Sequence, residues 1–267
     1  MGVLILPCIF YPPPEDANSY PGVECLGIIE SVGENVSRWK VGDKVCALLS
    51  GGGYAEKVAV PATQVLLIPS RVSLSDATSL PEIHGGSSGI GTFAIQIAKF
   101  NGAKVFVTAA FCKDLGADIC INYKTEDFVA RVMEESGGKG VDVILDCVGA
   151  AYLQRNLDSL NVNCRLLMIG AVTGFVAELN MGAMFAKRLS IQAEGSKLKH
   201  DAATALRTRS VEEKPAIVNE VEKNVWPAIM SGKVKPVIYQ QFPLGEAAEA
   251  HRLMESGNHI GKILLIP

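Results

Sequence analysis

No apolar run in this sequence approaches the roughly 18 residues that a membrane-spanning helix needs, so no transmembrane helix is expected. No block of five or more Lys or Arg occurs, and the charges sum to 25 − 28 = −3, with a pI near 5.9. A basic nucleic-acid groove or an anionic-membrane patch would need clustered cations against that balance. No CxxC pair and no four-cysteine cluster are present, and the four histidines (His84, His200, His251, His259) show no HxxxH spacing, so zinc is not expected. The seven cysteines (Cys8, Cys25, Cys46, Cys112, Cys120, Cys147, Cys164) are odd in number, and several sit in apolar runs. That pattern reads as reduced, mostly buried thiols and a cytoplasmic protein. The segment from Met1 to Leu6 is apolar but lacks a positive leader and is interrupted by Pro7, which argues against a signal peptide. Leu6 also breaks the Gly2 myristoylation pattern.

Apolar residue types make up 48% of the chain and charged ones 20%, enough apolar material for a buried core. At roughly 150 residues per domain, 267 residues make one large domain or two modest ones. The pattern changes near residue 83. Before it, β-type runs (Val23 to Val32, Val41 to Leu49, Tyr54 to Val60, Val65 to Ile68) alternate with Gly and Pro, as in a small barrel or sandwich. After it, strands at Lys104 to Thr108, Ile119 to Asn122, Val141 to Asp146, Cys164 to Ile169 and Leu189 to Ala193 are expected. They alternate with helices at Ile90 to Phe100, Glu126 to Glu135, Tyr152 to Leu160 and Ala216 to Met230, the last kinked or shortened by Pro227. This is the pattern of a parallel sheet covered by helices. Gly195 to Glu213 reads as a loop. A strand at Pro236 to Tyr239, a helix at Gly245 to Glu255 and a strand at Lys262 to Ile266 close the chain and are expected to complete the first domain.

The segment from His84 through Gly85, Gly86, Ser87, Ser88, Gly89 and Ile90 to Gly91 opens an apolar helix. Glycines let a backbone approach a diphosphate without Cβ clashes, and free N–H groups at a helix start meet its negative charge. Ser87 and Ser88 can add hydrogen bonds. The spacing is GxxGxG, a variant of the dinucleotide-binding GxGxxG; alone, it also fits an ordinary glycine-rich helix entry. About 20 residues further on, NAD sites carry a carboxylate for the ribose. Here the strand end is Val107-Thr108-Ala109-Ala110, and the nearest ionisable side chain of suitable sign is Lys113, which favours NADPH. The other reading makes Lys113 a solvated charge. Val148, Gly149 and Gly170 fall at strand ends, which in such sheets face the ligand crevice; both glycines also fit as plain strand terminators.

With these motifs in view, the chain resembles the zinc-independent NADPH quinone oxidoreductase branch of the medium-chain dehydrogenase/reductase superfamily. The matching pieces are Gly22-Val23-Glu24-Cys25-Leu26-Gly27, Trp39 to Val45, Gly51-Gly52-Gly53-Tyr54-Ala55-Glu56, the Gly86 to Gly91 turn, Leu115-Gly116-Ala117-Asp118, Asp146-Cys147-Val148-Gly149, and His259-Ile260-Gly261-Lys262-Ile263. The resemblance implies an α/β fold: a Rossmann-like doubly wound parallel sheet over residues 83–234, and a partial GroES-like β-barrel domain from residues 1–82 and 235–267. It implies NADPH in the cleft between them, touched by Gly261 and Lys262, with Tyr123 beside the adenosine phosphate. It also implies a quinone or similar flat acceptor, with Tyr11 lining the cleft, and a homodimer joined through edge strands near Leu189 to Ala193. Val23, where zinc members of the superfamily carry His beside the barrel Glu, agrees with a zinc-independent site. Tyr11 also reads as the anchor of its proline-rich loop, and Tyr123 as a partly buried aromatic at a strand end.

The sequence departs from that family in three places. Relative to the resemblance and to usual barrel size, roughly 40 residues are absent at the start. Pro81 to His84 leaves almost no room for a strand ahead of the glycine turn, so the sheet counts five strands instead of six. Ala110 to Leu115 leaves a stub where a crossover helix needs about 10 residues. The losses sit at element boundaries, as in a splice variant, and imply poor folding or weak NADPH binding. Two further readings compete with this one. A short-chain dehydrogenase needs Tyr-x-x-x-Lys, but Asp127, Asn156 and Pro243 stand four residues after Tyr123, Tyr152 and Tyr239. A non-catalytic NADPH-binding or interaction protein is the second.

Overall fold

The computed structural model describes Asn18 and residues 20–68, 85–109, 112–193 and 214–267. Strands β1 (Glu24–Ile28), β2 (Lys44–Leu48) and β3 (Val65–Leu67) form an antiparallel sheet in chain order. Trp39 packs with Ala47 and Val65, and its indole N–H donates to the Ala62 carbonyl at 2.7 Å. That bond satisfies the one polar group of a side chain otherwise suited to a core. The strand expected at Tyr54 to Val60 does not form. Backbone bonds tie its start to the segment before β1 instead: Gly53 N–H donates to Gly22 O and Tyr54 N–H to Pro21 O. The approach is so close that a Cβ on Gly22 would lie 2.6 Å from Tyr54 N.

Helix α1 (Gly89–Phe100) leads into β4 (Phe106–Val107) and β5 (Ile119–Cys120). Then come α2 (Phe128–Glu135), β6 (Val141–Asp146), α3 (Leu153–Ser159), β7 (Leu160–Met168), α4 (Met181–Lys187) and β8 (Ser190–Ala193). β4 pairs with β5, β6 with β7 and β7 with β8, all parallel, so the alternation of strands and helices gives the α/β layering expected. Leu157, Leu160 and Leu166 are fully buried beneath α3 and β7. Each such burial stabilises the fold by roughly 1.5–3 kcal/mol. β7 starts four residues before the expected Cys164, because the chain passes Asn163 in the left-handed region (φ 62) and the register slips between Val141 and Val143.

Among the described residues, no hydrogen bond joins β4 to β6. The sheet stands as two pieces, β5-β4 and β6-β7-β8. This is the doubly wound order with its central position unrepresented. Val143 and Leu145, two residues apart and so on one face of β6, are 44% and 43% exposed. The residues ahead of Gly85, where the sequence leaves no room for a strand, lie outside the described residues. So does the expected loop from Gly195 to Glu213.

The helix expected over Ala216 to Met230 is two helices, α5 (Lys214–Asn224) and α6 (Trp226–Met230). Pro227 lies in the first turn of α6, where its missing N–H is harmless. Trp226 packs against Cys46, Ile68 and Phe93 and donates its indole N–H to Leu67 O at 2.7 Å. Strand β9 (Ile238–Pro243), helix α7 (Ala247–Glu255) and strand β10 (Lys262–Ile266) end the chain, with β10 parallel to β9. Ile263 and Leu265 pack with Ala250 and Tyr54, so the last segment returns to the first. No helix among the described residues is long and apolar enough to cross a membrane.

Candidate functional site

The glycine turn is built around Ser88. Its hydroxyl donates to the Gly85 carbonyl at 2.6 Å and accepts from the Gly91 N–H at 3.2 Å, which makes it the N-cap of α1. The proton that the sequence assigned to a ligand is thus directed into the turn. Thr92 N–H donates to the Ser88 carbonyl. Among the described residues, the amide of Ile90 meets no acceptor, while the parallel bridge between Ser88 and Gly261 turns the Gly89 amide toward the Gly261 carbonyl; both stand at the positive end of the helix dipole. Three glycines are required by the protein's own contacts. A Cβ would lie 1.6 Å from Gly85 O at Gly91, 2.3 Å from Val107 Cγ1 at Gly86, and 2.4 Å from Lys262 Cε at Gly89.

The C-terminal segment closes one side of this mouth. Gly261, at φ +87, donates its N–H to the Ser87 carbonyl at 2.7 Å, and Ser88 and Gly261 form a parallel bridge. Lys262 follows at once. Its stem crosses the helix entrance and its ammonium reaches Glu24 on β1 at 3.1 Å, both side chains buried. Lys262 therefore stands at the mouth of α1, and its charge is paired with the barrel Glu, a carboxylate to which the sequence reading gave no site role.

The ends of β6 and β7 form the opposing wall. Asp146, buried, accepts from Val148 N–H at 2.9 Å and Gly149 N–H at 3.0 Å, one amide to each carboxylate oxygen. Burial holds its carboxyl above the usual carboxylate range despite those two bonds. Gly149, at φ +85, has Ala171 Cα 2.7 Å from its notional Cβ, and Val172 and Thr173 donate backbone N–H groups to Cys147 and Val148 carbonyls. The turn that follows Gly170 is thereby sewn to the turn that follows Asp146. Gly85 N–H donates to Cys147 Sγ at 2.9 Å, and Cys112 Sγ donates to Gly86 O at 3.2 Å, so one half-buried and one fully buried thiol hold the glycine turn. These second contacts carry no motif in the sequence; only the apolar setting of the cysteines hinted at them.

Thr108 directly follows β4 and is half-buried. Lys113 opens a single 3-10 turn ending at Leu115 and is exposed, so the crossover from β4 to β5 is as short as the sequence implies. Tyr123 follows β5 and is 51% exposed. Thr108, Lys113 and Tyr123 thus lie around the β4-β5 piece, while Val148, Gly149 and Gly170 belong to the β6-β7-β8 piece. Tyr11 lies outside the described residues. Among the described residues, no group of three or more His, Cys, Asp or Glu is placed so that it could hold a metal ion.

Comparison with known proteins agrees with this arrangement. The zinc-binding dehydrogenase family profile matches residues 115–265, and the alcohol dehydrogenase GroES-like domain matches residues 7–70. The chain is 28% identical to the synaptic vesicle membrane protein VAT-1 homolog of Danio rerio, of which it spans only 57%. It is 28% identical to a 2-haloacrylate reductase of Burkholderia over 92% of this chain and 80% of that one. Quinone oxidoreductase 1 of Escherichia coli is 29% identical over 96% of this chain and 84% of its own length. The solved structure of Escherichia coli quinone oxidoreductase complexed with NADPH superposes at a TM-score of 0.77 with 28% identity, covering 92% of this chain and 82% of that one. The glycine turn, the parallel sheet and a profile match over more than half the chain converge on one conclusion: the chain belongs to the zinc-binding dehydrogenase family of the medium-chain dehydrogenase/reductase superfamily, with a GroES-like N-terminal part.

Proposed function

We propose that this chain binds NADPH with its diphosphate at the mouth of α1 and that reducing equivalents pass to a quinone or a similar flat electrophilic acceptor. The observation that carries the reading is the unclaimed amide of Ile90, at the positive end of a helix, with the buried cation of Lys262 beside it. Together they form a donor set for an anion. Gly86, Ser87, Ser88 and Gly91 shape the turn that aims it, and Gly261 fixes Lys262 against it. Thr108, Lys113 and Tyr123 take the adenosine end. The absence of a carboxylate at the end of β4, from Val107 to Ala110, favours a 2′-phosphate there. Val148, Gly149 and Gly170 line the nicotinamide side, and Tyr11 meets the acceptor.

NADPH, when bound, supplies the hydride. The protein's part is positioning: the product oxyanion of a quinone is stable enough to take its proton from solvent, so no buried acid is required. Asp146 keeps Val148 and Gly149 in the turn that the nicotinamide side needs. A 2-haloacrylate reductase and quinone oxidoreductases stand among the relatives, and electrophilic acceptors of both kinds belong in the assay. Two copies are proposed to pair through their β8 edges, in the cytoplasm, where thiols stay reduced.

NADPH fluorescence titration followed by steady-state NADPH oxidation, with and without a quinone, tests the proposal. Saturable binding with quinone-dependent oxidation is expected; absence of saturation would overturn it. The two-piece sheet favours one second reading, a non-catalytic NADPH-binding protein. Saturable binding without turnover on any acceptor would decide for it.

A further inference from the structure

Lys262 stands in an electrostatically adverse place. Its stem lies across the entrance of α1, so that a Cβ on Gly89 would sit 2.4 Å from Lys262 Cε. The N-terminus of a helix carries a partial positive charge and repels an ammonium. The side chain is also only 7% exposed, so desolvation adds to the cost. Withdrawal with its backbone is blocked, because the preceding Gly261 is bonded to Ser87 and bridged to Ser88. What offsets both costs is one carboxylate. Glu24 Oε1 and Oε2 lie 3.1 and 3.4 Å from Lys262 Nζ, and the Glu24 side chain is 3% exposed.

We propose that Glu24 is an internal counter-ion for the diphosphate site: it holds Lys262 in the mouth of α1 when no nucleotide is bound and competes with the diphosphate for the same ammonium when one arrives. The inference rests on the reading of that mouth as a diphosphate site. Glu24 acts through Lys262 and is a positioning residue. Two anions that share one cation are coupled negatively, and the coupling is reciprocal. Glu24 therefore stabilises the nucleotide-free protein and, by the same interaction, weakens nucleotide binding and eases release.

The test uses the full chain, with thermal melting and NADPH fluorescence titration of wild type, Glu24→Gln, Lys262→Met and the double variant. Glu24→Gln is expected to melt below wild type without nucleotide, yet to bind NADPH more tightly, by on the order of tenfold, with a larger rise in melting temperature on saturation. In the Lys262→Met background, Glu24→Gln is expected to leave NADPH affinity unchanged. A purely structural Glu24 gives the lower melting temperature with unchanged or weaker binding, and that result overturns the inference alone. If Glu24→Gln does not fold, Glu24→Asp is read instead. It keeps the charge but draws it back by one methylene, and affinity should rise by a smaller factor; unchanged or weaker binding again overturns the inference. Wild type without saturable NADPH binding overturns the diphosphate reading together with this one.

Discussion

At the scale of single residues, the glycines of the turn are required for a different reason from the one their motif suggests. The sequence reads them as openings for a phosphate. In the fold their missing Cβ atoms make room for Val107, for the stem of Lys262 and for the Gly85 carbonyl. Consequences for substitution differ sharply along the turn. Gly91→Ala drives a methyl to 1.6 Å from a backbone oxygen that cannot rotate away, and a loss of roughly 3 kcal/mol is expected. Gly85 has open space around its notional Cβ and only its φ of +56 to disturb, so Gly85→Ala should cost about 1 kcal/mol. Chemical denaturation of the two variants checks the ranking, and equal losses would contradict it. Asp146, by contrast, was legible as the end of an apolar strand and as part of a matching motif, with no role attached to its carboxylate. Asp146→Asn keeps one acceptor and leaves one of two amides unpaired, a loss of about 1–3 kcal/mol in the same measurement. The cysteines follow their apolar settings. Burial pushes the Cys46 thiol up to about 12 and the Cys25 and Cys112 thiols up to about 11. Since only the thiolate reacts, iodoacetamide at about pH 8 should spare all three in the folded protein and label them after unfolding. Peptide mass spectrometry reads the result, and rapid native labelling of Cys46 would show that its core is open.

At the scale of elements, the starts of α1 and α2 were readable because each depends on one local side chain: Ser88 and Asp127 cap them through a hydrogen bond within two or three residues. Asn180 caps α4 in the same way, but that seven-residue helix was not expected from the sequence. Strand limits were less readable, since they depend on partners distant in the chain. The alternation from Tyr54 to Val60 suits a strand, but the backbone of Gly53 and Tyr54 is already bonded to Gly22 and Pro21. Ser88 is the one cap that also orders the proposed site. Ser88→Ala removes the acceptor for Gly91 and the donor to Gly85 together. About 1 kcal/mol of stability should be lost, with weaker NADPH binding, because the Ile90 amide is aimed by the same turn. Lost stability with unchanged NADPH affinity would place the nucleotide elsewhere.

For the whole molecule, the sequence yields five strands between residues 83 and 234, the number found there among the described residues, and the structure shows what that count means. β5-β4 and β6-β7-β8 are separate hydrogen-bonded pieces among the described residues. Their paired lengths are unequal: β4 and β5 share two residue pairs, whereas β7 is paired on both sides. Local opening free energy tracks buried apolar contact and the extent of bonded ladder. The amides of Val107 and Ile121 should therefore exchange with solvent at least roughly tenfold faster than that of Leu166, a gap of about 1.4 kcal/mol in opening free energy. The proposed function adds a second, sharper expectation. Thr108 and Tyr123 belong to one piece and Gly149 and Gly170 to the other, so a nucleotide touching both ties together what the sheet does not. A ligand that binds only the docked arrangement stabilises it by mass action. Saturating NADPH should slow exchange most in β4 and β5 and least in β7, where protection is already set by global unfolding. Hydrogen exchange read by mass spectrometry with and without NADPH separates the cases. Slowing confined to the β6-β7-β8 piece would mean that the nucleotide grips only the nicotinamide side, and the diphosphate assignment at α1 would fail with it.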